Sequence, residues 1–327
     1  MNKTFVAMKK IILLATLCLC TLVKGQTVNY GTFNIRNSNG DRKDPERCWN
    51  ERRDRVAQFV LQQQLSIVGM QEVLYDQLTD LQRLLPDYDY EGVGRDDGKR
   101  KGEYSPIFWR RADWEKLNGG TFWLSTTPDV VGSVGWDAAL TRIATYVLLR
   151  HRQTGRPLMC INTHFDHVGH QARQESARLI LQKAKEIINA ASSLNDQSPN
   201  PLNDQTTNLP NDLPTPFVLT GDFNIAMSDA AYHVITHDAT FPILDTYMQG
   251  APHEGPFYTW HDYGRISVDR ATKIDYIFAS PSIGVLRTFI PQDDRSEHPL
   301  HLSDHNPVVA TLVLDIAETK INEKRRK

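Results

Sequence analysis

Short runs of β-branched and aliphatic residues alternate along this chain with segments whose apolar residues recur every three or four positions. Runs of the first kind are typical of buried strands, whereas the second spacing places apolar side chains on one face of a helix. The runs predict strands at residues 28–35, 66–73, 104–109, 144–150, 158–164, 217–220, 274–279 and 307–314. The helical spacing predicts helices at residues 49–64, 74–85 and 172–191. The alternation of the two kinds of segment predicts an α/β fold.

The segment 192–216 interrupts this pattern between the helix at 172–191 and the next strand. It is rich in Asn, Asp, Ser, Thr and Pro, and the sequence Leu-Asn-Asp-Gln occurs at residue 194 and again at residue 202. Such a composition buries too little apolar area to offset the entropy of ordering, so we expect a disordered surface insert in preference to a partner-binding element. The insert separates two strands and does not divide the chain into two domains.

The first 25 residues have the pattern of a secretory signal peptide. Lys9 and Lys10 precede an apolar run from Ile11 to Val23, and cleavage is expected near Gly25. A membrane anchor and lipidation of a cysteine within the run are the alternatives, and the run is short for a membrane span. We therefore expect a secreted or periplasmic protein with no stable membrane insertion.

Composition narrows the class of protein. Of 327 residues, 40% are hydrophobic and 23% are charged, which is typical of a globular chain. The formal charge is 37 minus 39, or -2; without the four lysines of residues 1–25 it is 33 minus 39, or -6. An acidic balance argues against a non-specific coat on nucleic acid. Only Cys48 and Cys160 lie outside the signal peptide, so neither a disulfide framework nor a zinc site is expected. The basic residues of 316–327 indicate a solvated tail.

Polar residues lie at or beside the ends of several predicted strands, where polar side chains of this kind are unusual. They are Asn34, Glu72, His164, Asp222, Asn224, Asp275, Asp304 and His305. Carboxylates and amides outnumber imidazoles in this set, and thiolates are missing from it. Oxygen-rich sets of this kind suit a hard divalent cation, so the pattern favours Mg²⁺ or Mn²⁺ over Zn²⁺.

Six motifs carry a resemblance to a known family. They are Thr32-Phe33-Asn34-Ile35-Arg36, Gln71-Glu72-Val73, Asn162-Thr163-His164, Gly221-Asp222-Phe223-Asn224, Ile274-Asp275-Tyr276-Ile277 and Ser303-Asp304-His305. In this order the chain resembles the endonuclease/exonuclease/phosphatase superfamily of metal-dependent phosphoesterases from about residue 28 to residue 314. The resemblance implies an α/β four-layer sandwich, in which two mixed β-sheets pack face to face with helices outside. It also implies that residues 26–315 form one domain.

The resemblance further implies roles for the polar residues. Glu72 would be the principal metal ligand, with Asn34 and Asp304 beside it. Asp222 would orient or deprotonate the attacking water. The groups expected to act around the phosphoryl group are Asn224, His164 with Glu103 as its partner, and His305 with Asp275 as its partner.

Substrate contacts are implied at three further positions, each with an alternative. Arg142 would contact the phosphate, or else form a surface salt bridge. Tyr104 and Trp260 would form an aromatic wall for a base or an inositol ring, or else serve only in packing.

These residues predict a magnesium- or manganese-dependent hydrolase of phosphate esters that acts as a monomer. The leading interpretation of the substrate is a phosphodiester, possibly in nucleic acid. The family that the chain resembles reuses one metal site for many leaving groups, so the motifs do not decide the substrate. A sphingomyelinase-like activity and an inositol- or sugar-phosphate phosphatase are the alternatives. A non-catalytic binding protein of the same fold ranks last.

Overall fold

The computed structural model describes residues 26–196, 215–249, 253–291 and 301–314. The predicted signal peptide (1–25), residues 197–214 of the predicted insert and the predicted tail (316–327) lie outside the described residues.

The described residues form helices and strands in alternation. The helices are α1 (Trp49–Gln62), α2 (Tyr75–Leu84), α3 (His170–Asp196) and α4 (Ala230–Thr236). The first seven strands are β1 (Thr27–Asn34), β2 (Ile67–Gln71), β3 (Tyr88–Glu91), β4 (Ile107–Arg110), β5 (Trp114–Trp123), β6 (Ile143–His151) and β7 (Pro157–His164). The others are β8 (Phe217–Asp222), β9 (Leu244–Asp245), β10 (His253–Glu254), β11 (Asp275–Ala279), β12 (Gly284–Phe289) and β13 (Val308–Val313). Short 3-10 helices occur at Ser38–Lys43, Pro45–Arg47, Thr246–Met248 and Asp262–Gly264.

Within the described part of the chain the strands assemble into two mixed sheets. The first sheet has the order β10-β12-β13-β1-β2-β4-β3, and the second has the order β5-β6-β7-β8-β11-β9. In the first sheet β1 pairs with β2 in parallel and with β13 in the antiparallel direction. In the second sheet β8 pairs with β7 in parallel and with β11 in the antiparallel direction.

Three apolar clusters show how these layers stack. One lies between the sheets and joins Ile67 of β2 to Val218 of β8. The second packs α1 and α2 on the outer face of the first sheet, and the third packs α3 and α4 on the outer face of the second. Helix, sheet, sheet and helix layers therefore follow one another, which confirms the predicted four-layer α/β sandwich.

The central strands are buried on both faces because their alternate residues enter different clusters. In β2, Ile67 faces the other sheet and Val68 faces the helices, and in β8 the same holds for Val218 and Leu219. Strands covered on both faces read as continuous apolar runs, which explains why the sequence predicted them well.

The pattern missed the peripheral elements. β5 is an edge strand with the sequence Trp-Glu-Lys-Leu-Asn-Gly-Gly-Thr-Phe-Trp, and much of it is exposed. An edge strand needs few apolar residues, so its sequence carries little strand signal. Helix α3 extends to Asp196, beyond the predicted end at residue 191 and into the predicted insert.

A buried polar contact, which we call the inter-sheet staple, links Gln71 of β2 to Asn162 of β7. The Gln71 Nε2 donates to Asn162 Oδ1 at 2.7 Å, and the Asn162 Nδ2 donates to the carbonyl oxygen of Met70 at 2.7 Å. A Cβ on Gly69 would lie only 2.5 Å from Asn162 Oδ1, so a residue without a side chain is needed there. The staple fixes the position of one sheet against the other directly beneath the strand ends that carry the polar residues.

Candidate active site

The first sheet contributes four of the predicted residues at one edge. Asn34 ends β1 and Glu72 directly follows β2, and these strands are parallel, so the two residues emerge side by side. Asp304 and His305 lie four and three residues before β13, which runs antiparallel to β1 and therefore begins at the same edge. Glu72 has a left-handed backbone conformation with φ of 61°, and non-glycine residues adopt this region mainly where the surroundings require it.

The second sheet contributes the remaining polar strand ends. His164 ends β7 and Asp222 ends β8, and the two residues are partners in the parallel ladder. Asp275 begins β11 and is the antiparallel partner of Asp222. Pairing therefore places three titratable side chains in one row across neighbouring strands.

We call the polar residues that each sheet contributes a half-site. Hydrogen bonds join the two half-sites across the gap between the sheets. The Nδ2 of Asn34 donates to Oδ2 of Asp222 at 2.9 Å and to Oε1 of Glu72 at 3.0 Å. The Nδ1 of His305 lies 2.8 Å from Oδ2 of Asp275, and its Nε2 lies 3.8 Å from Oδ2 of Asp222. The structure thus brings together residues that are far apart in the sequence and on different sheets.

Burial and neighbouring charges shift the proton affinities of this group. Burial, reinforced by the negative charge of Asp275, raises the pKa of Asp222 to about 7. Burial on its own lowers the pKa of His305, but the carboxylates of Asp275 and Asp222 outweigh it and raise that pKa well above its ordinary value. The arrangement pairs a protonated imidazole with a carboxyl group that can take up a proton near neutral pH.

Two sets of side chains here have the donor chemistry for a divalent cation. Burial raises the pKa of Asp304, and the negative charge of the nearby Glu72 contributes to the increase. Two acids that repel each other, with the amide of Asn34 beside Glu72, form an oxygen set that fits a hard cation. The second set is Asp222, Asp275 and His305, whose potential ligand atoms all lie within 4.8 Å of one another. In that set the Nδ1 of His305 is already hydrogen-bonded to Asp275.

Glu103 lies at the site but has partners other than the expected His164. Its Oε2 accepts a hydrogen bond from Nη1 of Arg95 at 2.5 Å, and its Oε1 accepts one from Nδ2 of Asn37 at 3.1 Å. Burial and the nearby charge of Glu72 raise the pKa of Glu103. Glu103 therefore belongs to a network on the Glu72 side of the site.

His164 instead faces Asn224 and Asp222. Its Nε2 lies 3.1 Å from Nδ2 of Asn224 and 3.5 Å from Oδ2 of Asp222. Its Nδ1 is buried and has no hydrogen-bond partner among the described residues. Burial and the positive charges of Arg142 and Arg95 lower the pKa of His164 well below its usual value, so the ring is neutral at pH 7.

Two residues of the site escaped the sequence analysis. Asn37 donates to Oε2 of Glu72 from its backbone nitrogen at 3.1 Å and from its Nδ2 at 2.8 Å, and Arg95 binds Glu103. Both lie in loops, where periodicity is lost. The only signal was the position of Asn37, three residues after Asn34.

Arg142 is buried beside the His164 loop. Its Nε lies 3.4 Å from Oδ2 of Asp166, and its Nη2 lies 3.2 Å from Nδ1 of His167. Its Nη1 is buried and has no hydrogen-bond partner among the described residues. The guanidinium is therefore part of a buried ion pair with Asp166, and one of its donors is still unused.

The two aromatic candidates differ in their surroundings. Tyr104 is buried and its hydroxyl donates to the carbonyl oxygen of Lys99 at 2.6 Å, as expected of a packing residue. Trp260 is 36% exposed and forms antiparallel bridges with Thr272 and His305. Residues directly opposite in such a bridge point to the same face, so the indole lies on the same side as the His305 ring.

The chain also resembles known proteins. The sequence model of the Endonuclease/Exonuclease/phosphatase family matches residues 31–305. No curated protein gives a significant match.

Solved structures resemble the chain over nearly its whole length. An endonuclease/exonuclease/phosphatase from Bacteroides vulgatus is 43% identical, with a TM-score of 0.77 over 89% of this chain and 100% of that one. An endonuclease/exonuclease/phosphatase family protein from Bacteroides thetaiotaomicron is 33% identical, with a TM-score of 0.76 over 90% and 97%. A mannosyl-6-phosphatase from the same organism is 34% identical, with a TM-score of 0.73 over 88% and 99%.

The family model covers most of the chain, and these relatives share both its sequence and its fold, as the six motifs predicted. The chain therefore belongs to the endonuclease/exonuclease/phosphatase family.

Proposed function

We propose that this protein is a divalent-metal-dependent phosphatase that hydrolyses phosphate monoesters of sugars. The observation that carries the proposal is the meeting of the two half-sites. The acids Glu72 and Asp304 of one sheet lie across from the acid Asp222 of the other, linked through Asn34. A cation site on one side and a proton acceptor on the other are what hydrolysis of a phosphate ester requires.

Glu72, Asp304 and Asn34 would hold the cation, with Mg²⁺ favoured by the oxygen donor set. The bound cation would neutralise charge on the phosphoryl oxygens and on the leaving oxygen. Asp222 would take a proton from the attacking water as the water oxygen bonds to phosphorus and the bond from phosphorus to the leaving oxygen breaks. The leaving oxygen would take up a proton from solvent. Its pKa of about 7 suits a group that must accept a proton near neutral pH.

Two neighbouring side chains would bind the phosphoryl group. His305, kept protonated by Asp275, would donate through its Nε2. Asn224 would donate through its Nδ2, which lies 3.1 Å from Nε2 of His164 and donates to the carbonyl oxygen of Phe165. A neutral amide donor of this kind does not compete for the cation. Donors already fixed in place need little reorganisation as charge develops.

Three observations support a monoester of a sugar over the phosphodiester favoured by the sequence analysis. A mannosyl-6-phosphatase is 34% identical over almost the whole of both chains. The unused, buried Nη1 of Arg142 offers a further positive donor, which suits the second negative charge of a monoester. The exposed indole of Trp260 beside His305 would give a sugar ring a flat surface to stack on.

The proposal is tested by assaying the purified protein with Mg²⁺ or EDTA on hexose 6-phosphates, p-nitrophenyl phosphate, bis-p-nitrophenyl phosphate and single-stranded DNA. We expect Mg²⁺-dependent release of phosphate from the hexose phosphates, abolished in Asp222→Asn. Cleavage of the diester or of DNA with hexose phosphates untouched would replace this proposal by the phosphodiesterase. Activity that persists in EDTA and in Asp222→Asn would refute both.

We also propose that the protein is exported. The apolar run from Ile11 to Val23 after Lys9 and Lys10 supports this. No helix among the described residues is long and apolar enough to span a membrane. N-terminal sequencing of the secreted or periplasmic protein should begin at or near Gln26, and retention of Met1 would contradict export by this signal.

A further inference from the structure

Arg52 of α1 is a buried cation that hydrogen-bonds to backbone carbonyls. The residue is 0% exposed, and its guanidinium donates to the carbonyl oxygens of Ile35 at 2.6 Å, Leu302 at 2.9 Å, Arg47 at 2.7 Å and Arg36 at 3.3 Å. Burying a charge is costly unless its hydrogen bonds are satisfied, and here carbonyl dipoles satisfy them. Because burying this charge is costly, we expect Arg52 to hold particular backbone segments in place.

The carbonyls that Arg52 binds flank two of the proposed cation ligands. Ile35 directly follows Asn34, and Leu302 lies two residues before Asp304. One guanidinium therefore ties the end of β1 to the segment that enters β13.

Gln77 of α2 makes a second connection of the same kind. This residue is also fully buried, and its Nε2 donates to the carbonyl oxygen of Arg36 at 2.9 Å. Its Oε1 accepts from the backbone nitrogens of Leu74 at 3.1 Å and Ser38 at 3.3 Å. Because Leu74 lies two residues after Glu72, Gln77 ties the segment after Asn34 to the segment after Glu72. The carbonyl oxygen of Arg36 accepts from both Gln77 and Arg52.

These connections lie beyond the regular sheet. The ladder between β1 and β2 ends at Asn34 and Gln71, and the ladder between β1 and β13 ends at Thr32 and Val308. Glu72 and Asp304 are therefore outside the ladders, and sheet pairing does not fix their separation.

We propose that Arg52 and Gln77 are positioning residues that hold the three cation-ligand segments at a fixed separation from the helical side of the first sheet. The inference rests on the proposed function, because it takes Asn34, Glu72 and Asp304 as the ligands. It assigns a task in cation binding to two side chains that do not touch the cation. Outer residues that orient metal ligands commonly change metal affinity by about 10- to 100-fold when they are altered.

The test compares Arg52→Lys and Gln77→Glu with matched controls on the same helices. Arg53→Lys alters a partly exposed side chain paired with Asp80 at 3.3 Å, and Gln82→Glu alters an exposed glutamine. Mn²⁺ binding to the metal-free protein is measured by electron paramagnetic resonance, alongside circular dichroism and the Mg²⁺ dependence of phosphate release.

We expect each positioning variant to bind Mn²⁺ at least about tenfold more weakly than wild type. Saturating Mg²⁺ should restore kcat to within a few-fold, and both controls should bind like wild type. If Arg52→Lys does not fold, Gln77→Glu decides the matter. Folded positioning variants with wild-type Mn²⁺ affinity would overturn the inference while leaving the proposed function intact. Wild-type protein that binds no Mn²⁺ or Mg²⁺ would overturn the proposed function and the inference together.

Discussion

The Nδ1 of His305 lies 2.8 Å from Oδ2 of Asp275, and this bond joins the first sheet to the second. Asp275 is completely buried, and its backbone nitrogen donates to Oγ1 of Thr259 at 3.1 Å. The carboxylate is therefore carried by a backbone that is itself hydrogen-bonded. It fixes both the orientation and the charge of the imidazole.

Asp275→Asn should keep the shape of this contact and remove its charge. The pKa of His305 should then fall, because burial alone lowers it and Asp275 is the largest opposing influence. We expect kcat to drop by about 10²- to 10⁴-fold at pH 7, the usual contribution of a positioned acid or base. Steady-state kinetics with a p-nitrophenyl ester measure this, and unchanged kcat would show that the protonated ring is not needed.

The two half-sites should respond differently to substitution. Glu72→Gln should weaken Mn²⁺ binding to the metal-free protein, whereas His305→Gln should lower turnover with Mn²⁺ affinity largely kept. The reason is that Glu72 is a proposed cation ligand, whereas His305 is proposed to bind the phosphoryl group. Calorimetric titration of each variant with Mn²⁺ checks this division, and an equal loss of affinity in both would contradict it.

Arg142→Met should raise KM for a phosphate monoester by about 10- to 100-fold, since a hydrogen bond to a charged group contributes about 1.5–3 kcal/mol. The loss should be smaller for a diester, which carries one negative charge less. Arg150→Met is the matched control, because Arg150 lies on the surface of β6 and faces Glu115 at 3.8 Å. Equal losses for both ester classes would remove Arg142 from monoester recognition.

The buried pair of Lys273 and Asp245 should make stability depend on pH in the alkaline range. Burial lowers the pKa of Lys273 to about 8, even though Asp245 lies 3.3 Å from its Nζ. An unfolded lysine has a pKa of about 10.4, so between pH 8 and 9.5 the unfolded chain binds more protons at this residue. Lys273 therefore adds stability as the pH rises through this window.

Urea unfolding of wild type and Lys273→Met at several pH values measures this contribution. The free energy of unfolding of wild type should gain about 1 kcal/mol per pH unit relative to the variant between pH 8 and 9.5. Parallel pH profiles would show that Lys273 keeps an ordinary pKa in the folded protein.

Much of this molecule could be predicted from its sequence because the polar residues of the site lie in or next to the strands that carry them. The central strands read as apolar runs, and Asn34, Glu72, Asp222 and Asp275 stand at or directly beyond the strands that present them. Their meeting at one edge follows from strand direction alone.

The connections around the site could not be predicted, because they join residues distant in sequence through side chains with ordinary alternatives. Arg52 reaches Leu302 across 250 residues, and nothing in the pattern of α1 distinguishes it from Arg53, which is partly exposed and pairs with Asp80. Glu103 was expected beside His164, yet it contacts Asn37 and Arg95. Loop residues of this kind carry no periodicity from which a partner can be inferred.

The site is divided between two sheets, which the inter-sheet staple of Gln71 and Asn162 holds together, and this division has a consequence for folding. Asp222, the proposed proton acceptor, and His305 come from different sheets, as do Asn34 and Asp222. A chain with both sheets formed but not yet packed together therefore has none of their contacts. We therefore expect catalytic activity to appear only when the two sheets pack against each other, and to be lost as soon as they separate. Turnover therefore reports on the packing of the two sheets, and during denaturation it should be lost before the strands unfold.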